Sequence, residues 1–373
     1  MSRASHHIED HTGEVAFRVH APTEAELFAE AGRALAEVML GAVPPAGQGV
    51  TVAARIELRA SDPTALLVEW LNELVFRGDV DKVVYTPVVD ATVRLANLRS
   101  GQFDIIERMA PSDVEKLSRE KNFKVAKITE IGYQGITINV GKSEKAQQNP
   151  LGKDPRVREA FELALDRAGI VQVAMDNEAT VGNQWVAPTN AFYAKNVPIP
   201  KRDVARAKAL LKEAGVPNPS FTLFTPTTSD AQRIALVVQA MTREAGFDVK
   251  IQSTEFATSL NMADKGDFEA YVLAWSGRAD PDGNLYSFDA CKQPLNYAGY
   301  CVAEVDELLN RSRSASDPGE RRKAYEQIAA RVLKDRPIVY LYHRHWLWAY
   351  TNKLEGLRPI PDGLVRVTDL RFK

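Results

Sequence analysis

Val83-Val84-Tyr85-Thr86-Pro87, then Val93-Arg94-Leu95-Ala96-Asn97-Leu98-Arg99-Ser100-Gly101, then Phe103-Asp104-Ile105-Ile106-Glu107-Arg108 pass through two periodicities in a short span. The apolar residues at 83–85 predict a strand. Residues from about 90 to 98 predict a helix that Gly101 stops, and 104–108 return to a strand. Strand, helix and strand in succession are the building unit of α/β sheets.

Downstream the alternation continues. Ser112 and Glu115 have the spacing of a capping box, and 123–130 and 134–140 read as strands. Asp154-Pro155 opens a helix that buries Val157, Phe161 and Ala164, and the stretch 181–200, with Trp185 and several prolines, is an irregular loop. A helix ending at Gly215 follows, then a strand at 221–225. A helix from Ser229 buries Ile234, Val237, Val238 and Met241 before Gly246. Strands are expected at 247–251 and 268–275, helices at 302–312 and 318–334, an apolar strand at 338–342, and an aromatic run at 346–350. Lobed α/β arrays of this kind bind ligands in a crevice at strand ends.

Upstream the pattern is of another kind. Val15, Phe17 and Val19 alternate as a strand, and Thr23 with Glu26 caps a helix carrying Leu27, Ala31, Leu35, Val38 and Met39. Pro44-Pro45 interrupts. Val50, Val52, Ala54, Ile56 and Leu58 form a second strand, and Asp62-Pro63 opens a helix with Leu66, Leu67, Trp70, Leu71 and Leu74. This is an α+β layer, and Gly78-Asp79-Val80-Asp81 marks its junction with the rest, dividing the chain into 1–80 and 81–373.

The 373 residues are 45% hydrophobic and 26% charged, ordinary for a globular chain with several cores. Forty-seven basic residues against 49 acidic leave a formal charge of -2, so no positive field holds a nucleic-acid backbone. No apolar run approaches the roughly 20 residues of a membrane span, and Met1-Ser2-Arg3-Ala4-Ser5-His6-His7 is not a signal peptide. As written, the chain is expected in the cytoplasm. Cys291 and Cys301 are either a local disulfide, which needs an oxidising compartment, or two free thiols.

Trp275-Ser276-Gly277-Arg278-Ala279-Asp280-Pro281-Asp282-Gly283-Asn284 leaves a strand for a polar turn. It reads as a binding wall, with the Trp275 ring on the ligand, the Ser276 and Gly277 backbone pairing with it, and Arg278 holding an anion. On spacing alone it reads rather as a surface turn held by the Asp280 and Asn284 side chains. Asp280, Asp282 and Asn284 imitate a calcium loop only briefly, since Leu285 and Cys291 stand where glycine and glutamate are needed. His6, His7 and His11 beside Glu9 and Asp10 are expected in a frayed chain start, and His343 and His345 share a packed strand face. No nucleophile elbow, Walker loop or dinucleotide fingerprint is present, so nothing argues for an enzyme. Tyr133, Phe192 and Tyr193 line a pocket or fill a core.

From about residue 80, these motifs resemble the later part of a family 5 extracytoplasmic solute-binding protein, the dipeptide and oligopeptide receptor family of ABC importers. The opening stretch, Asn183-Gln184-Trp185-Val186-Ala187-Pro188-Thr189-Asn190 and the W-x-G-x-x-D-P-D pattern at Trp275 carry the resemblance. It implies type II periplasmic-binding-protein-like lobes, with 81–150 and 346–373 in a partial first lobe and 151–345 in the second. It also implies a periplasmic receptor without cofactor, closing on a small peptide-like solute and delivering it to a membrane permease. Trp275, Ser276, Gly277, Arg278 and Asp280 would form the ligand site with Trp185 and Tyr133. Peptide-binding members often carry an aspartate for the ligand's amino terminus where this chain has Arg278, which would attract a carboxylate.

Asp10-His11-Thr12-Gly13-Glu14-Val15, Ala21-Pro22-Thr23, Leu27-Phe28-Ala29 and Leu67-Val68-Glu69-Trp70-Leu71-Asn72-Glu73-Leu74 resemble the first half of an archease, an accessory protein of RNA ligation. Glu14 stands where archeases have a metal-binding aspartate. The resemblance implies, as the alternative function, a divalent metal on Glu14 and Asp10 and an RNA ligase partner in tRNA splicing. This half-domain occupies the place of a long N-terminal portion that builds much of one lobe in family 5, whether by natural fusion or by the joining of two gene sequences. The first lobe is therefore expected to be incomplete and closure on a ligand impaired.

Overall fold

Asp90 accepts hydrogen bonds from the backbone N–H groups of Thr92 (2.7 Å) and Val93 (3.0 Å), and Gly101 closes the helix Ala91–Ser100 in the left-handed region at φ 79°. Both ends of that helix are thus set by local chemistry. The computed structural model describes residues 5–10, 15–40, 67, 84–88 and 90–373. They fall into two units that part between Pro87 and Val88.

In the first unit β1 (Ser5–Asp10) pairs antiparallel with β2 (Val15–His20), and the helix Glu24–Leu40 follows. Thr23 Oγ1 accepts from the Glu26 N–H (3.3 Å), the expected cap. His6 and His7 therefore belong to a strand rather than a frayed start, because β2 satisfies their backbone groups. The expected strand at 50–58, the junction at 78–81 and, apart from helical Leu67, the helix at 62–74 lie outside the described residues.

The second unit is built on an eight-stranded sheet of order β3 (Ile105–Glu107), β10 (Ile338–Thr351), β5 (Tyr133–Ile138), β9 (Ala270–Trp275), β7 (Ser220–Pro226), β8 (Asp248–Thr254). β4 (Phe123–Thr129) and β6 (Ala179–Val181) pair with β10 off that path. β7 runs parallel to both neighbours, and the other pairings are antiparallel. One core packs Phe161, Phe221 and Phe247 edge to face beneath Ile234 and Val238; another packs Trp185, Tyr325 and Tyr340. A small third core, with Leu95, Leu98, Ile106 and Leu347, belongs to the segment expected in the partial first lobe.

Several expectations are corrected. Residues 84–88 have no regular structure, since Val84 and Tyr85 are 78% and 66% exposed and the burial that would hold a strand is missing. A 3-10 turn at Pro111–Asp113 moves the next helix start to Val114, so Ser112 makes no cap bond. Helices Arg167–Met175, Phe256–Lys265 and Asp282–Asp289 occupy stretches with no helix expected. The apolar strand and the aromatic run near the end are one strand, β10. Its first part pairs with β5 and β6 and its last part with β4 and β3, so a single strand crosses from one sheet region to the other.

Cys291 and Cys301 are joined in a disulfide across a separation of 10 residues. Inside that loop the buried Asn296 amide donates to the Ala290 and Tyr300 carbonyls (2.9 and 2.6 Å). Cys291→Ser with Cys301→Ser is expected to lower unfolding stability by about 3 kcal/mol, from the loop-closure entropy returned to the unfolded chain. Equilibrium denaturation checks it; a loss under about 1 kcal/mol would show that the Asn296 bonds alone hold the loop.

Candidate functional site

β9 lies between β5 and β7 and ends at Trp275, which places the following turn at the C-terminal end of an interior strand. Gly277 has φ 89°, and a Cβ there would collide with the Ile131 and Gly132 backbone; a Cβ on Gly132 would collide with the Trp275 carbonyl. These two glycines let the turn lie directly against the strand connection 130–132. Any side chain at either position would push the wall away.

Arg278 is fixed by three contacts. Its guanidinium stacks over the Trp275 ring at 4.6 Å, its Nη1 donates to the Gly277 carbonyl at 2.8 Å, and its stem lies on Gly283, where a Cβ would come within 2.7 Å. The side chain is exposed and pairs with no carboxylate among the described residues. Its acidic neighbours are occupied elsewhere. Asp280 takes both terminal nitrogens of Arg321, and Asp282 faces Arg313 at 3.3 Å. The Arg321 guanidinium holds the Asp280 carboxyl below the usual carboxylate range. Asp280 thus braces the turn against the helix Pro318–Asp335 that carries Arg321. The brief calcium-like pattern is used up in the same way.

Asn284 organises the wall, a role its sequence position did not announce. It is fully buried; its Oδ1 accepts from Trp275 Nε1 (2.9 Å) and the Arg278 N–H (2.6 Å), and its Nδ2 donates to the carbonyls of Ile131 and Arg278 (both 3.1 Å). All four hydrogen-bonding positions of the amide are filled. The available signal was an asparagine just inside a helix that starts at the end of a ligand-type turn.

Trp185 and Tyr133, expected at the ligand site, are core residues. Gln184 ties to Ala194 through both the backbone N–H (2.9 Å) and the carbonyl (2.7 Å), closing the 181–200 loop and turning Trp185 inward against Tyr325 and Tyr340. Tyr133 packs on Tyr340 at 4.8 Å and Phe288 at 6.1 Å. The structure therefore brings together Trp275, Ser276, Gly277 and Arg278, adds Asn284, and leaves Trp185 and Tyr133 behind the wall. A recess of about 370 Å³ beside Glu115, Asp176 and Glu178 lies elsewhere, and Glu178 in it is already paired with Lys127 and His345. Glu14 and the Asp10 side chain lie outside the described residues, among which no group of three or more His, Cys, Asp or Glu could hold a metal.

The family model described as bacterial extracellular solute-binding proteins, family 5 Middle, matches residues 75–296, and the archease protein family model matches 6–139. The second match runs beyond the expected limit at 80. In the shared stretch, β3, β4 and β5 are strands of the eight-stranded sheet. The oligopeptide-binding protein AppA of Bacillus subtilis (strain 168) is 30% identical over 311 residues, covering 78% of this chain and 56% of the relative. The dipeptide-binding protein of Escherichia coli (strain K12) is 26% identical over 297 residues, covering 77% and 54%. The chain thus spans about half the length of the curated relatives it matches.

The structure of Bacillus subtilis AppA in complex with a nonapeptide aligns with a TM-score of 0.66 at 28% identity, over 77% of this chain and 59% of that one. The dipeptide binding protein from Pseudoalteromonas sp. SM9913 in complex with Met-Leu shares the fold, with a TM-score of 0.68 at 21% identity over 78% and 58%. The fold is that of type II periplasmic binding proteins. The expectation of a cytoplasmic chain is not borne out, for the family is extracellular and the cysteines are bonded. With its family model covering more than half of the residues, the chain belongs to family 5 of the bacterial extracellular solute-binding proteins.

Proposed function

We propose that the second unit binds a peptide or peptide-like solute through its carboxylate, outside the cytoplasm, for delivery to an ABC-type permease. Arg278 carries the reading: an exposed guanidinium, already held by Trp275, Gly283 and the Gly277 carbonyl, with its N–H groups unclaimed by any carboxylate among the described residues. Holding the side chain before the ligand arrives lowers the entropy cost of binding, and a guanidinium matches a carboxylate in a two-point contact. The same charge repels an ammonium group, so the solute's acidic end faces this turn. Relatives named for oligopeptides and dipeptides support the solute class. Because archease-like sequence precedes the family 5 match within this chain, contacts from the first lobe are fewer and the affinity is lower than in longer relatives.

Thermal unfolding with Ala-Ala and with its C-terminal amide tests this. The free acid is expected to raise the midpoint and the amide to do so less. Arg278→Ala should weaken the acid by about tenfold to a hundredfold, the range of a lost charged hydrogen bond, and Trp275→Ala should abolish the shift. Equal responses to acid and amide, or a response untouched in Arg278→Ala, would defeat the reading.

A further inference from the structure

Arg108 is one of five non-glycine residues with positive φ among those described, at 52°. Arg336 caps a helix, Asp176 and Asn177 follow one, and Lys292 lies in the disulfide loop. Arg108 sits instead between β3 and the turn at Pro111, where no helix end requires that conformation. The cost of a side chain in this region is borne by nearby contacts: Arg94 donates to the Glu107 carbonyl (3.1 Å) and the Arg108 carbonyl (2.7 Å), clamping the peptide groups on both sides.

That conformation sends the Arg108 guanidinium over the Trp346 ring at 5.2 Å. Arg344 lies over the same ring at 5.4 Å but is joined to Glu130. Arg108 is exposed and has no ion-pair partner among the described residues. Its charge acts instead on Arg94, which burial first and Arg108 second hold below the usual arginine value. Asp90, Asp230 and Glu107 act on Arg94 in the other direction and Arg344 is neutralised by Glu130, so the exposed Arg108 guanidinium, stacked on Trp346 and without an ion pair of its own among the described residues, is the group here open to an anion.

This Trp346–Arg108 pair repeats the Trp275–Arg278 pair, and hydrogen bonds link the two. Trp346 Nε1 and the Ile131 N–H both donate to the Pro361 carbonyl at 3.1 Å, while Asn284 donates to the Ile131 carbonyl at 3.1 Å and accepts from Trp275 Nε1 at 2.9 Å. One residue, Ile131, thus carries a Trp–Arg pair on each side of its backbone. Resting on the binding role assigned above to the Trp275 turn, we propose that Arg108 is a second carboxylate contact of the same site and that the preferred solute bears two acidic groups, as a peptide with an acidic side chain does. Arg278 takes one carboxylate and Arg108 the other.

The test titrates the full chain with Ala-Glu and with Ala-Gln while recording arginine Nε and tryptophan Nε1 resonances by NMR. Ala-Glu is expected to bind at least about tenfold more tightly than Ala-Gln, to shift Arg108 Nε and Trp275 Nε1 together, and to lose that advantage in Arg108→Gly. Glycine accepts the positive φ, so this variant keeps the turn. If Ala-Glu shifts Trp275 Nε1 and leaves Arg108 Nε unmoved, or if Arg108→Gly retains the preference, the inference falls and the binding role stands. If neither dipeptide shifts Trp275 Nε1, both fall.

Discussion

Replacing Asp289 by asparagine is expected to stabilise the protein by about 4 kcal/mol at pH 8 and to change little at pH 4. Asp289 ends a helix with its side chain fully buried, and neither carboxyl oxygen has a hydrogen-bond partner. Burial alone pushes the carboxyl up from 3.8 to about 7. An acid whose folded pKa is raised stabilises most below its unfolded pKa. Between pH 4 and 7 the unfolded chain has lost the proton while the folded one keeps it, so stability falls as pH rises, and above 7 the full cost of a buried charge remains. Asparagine is isosteric with the neutral acid and escapes that cost.

His343 works in the opposite sense. It is buried and held neutral down to about pH 4, donating from Nδ1 to the Gly132 carbonyl at 2.6 Å. Its contribution is complete above the unfolded value near 6.5 and is lost as pH falls toward 4, by about 3 kcal/mol. In the wild type the two slopes nearly cancel over the same interval. In Asp289→Asn the histidine slope stands alone, so stability should climb from pH 4 to 6.5. Urea denaturation across that range decides it; a gain equal at pH 4 and pH 8 would mean that Asp289 is neutral or paired throughout.

Which parts of this structure the sequence discloses follows from how local their causes are. The helix Ala91–Ser100 is legible because Asp90 and Gly101 set its ends within the segment itself. The Trp275 turn is legible as a polar turn because the apolar run of β9 gives way within the segment itself to Ser276-Gly277-Arg278 and Asp280. Asn284 is not, since what it holds includes Ile131, 153 positions away. Trp185 faces the core for a related reason: its direction is decided by Gln184 bonding Ala194 across the loop, and no periodicity records that. β10 reads as two segments because His343, Arg344 and His345 interrupt its apolar run. Their partners are Gly132, Glu130 and Glu178, on segments far back in the chain.

Those interruptions locate the point where β10 exchanges neighbours, from β5 and β6 to β4 and β3. Glu130 ties the crossing together. Its N–H donates to the Arg344 carbonyl (2.8 Å), its carboxylate accepts from the Arg344 N–H (2.9 Å), and both its oxygens take the guanidinium at 3.1 to 3.3 Å. The Glu130 side chain is fully buried and that of Arg344 is 25% exposed. Removing either member strands the other, and the two cases differ. Glu130→Ala leaves a guanidinium that can reach water and stack on Trp346, so the expected loss is about 3 kcal/mol, the low end for a broken buried pair. Arg344→Ala leaves a carboxylate with no exposure at all, and about 4 to 5 kcal/mol is expected. The double variant should lose less than the sum of the singles, because it strands nothing. Denaturation midpoints measure the three variants, and hydrogen exchange at the amides of 130–132 and 343–345 reports whether the loss is local to the crossing. Additive losses, or a smaller loss for Arg344→Ala than for Glu130→Ala, would show that the pair is a surface contact and that Gly132, His343 and the β10 ladder alone define where the two sheet regions bend.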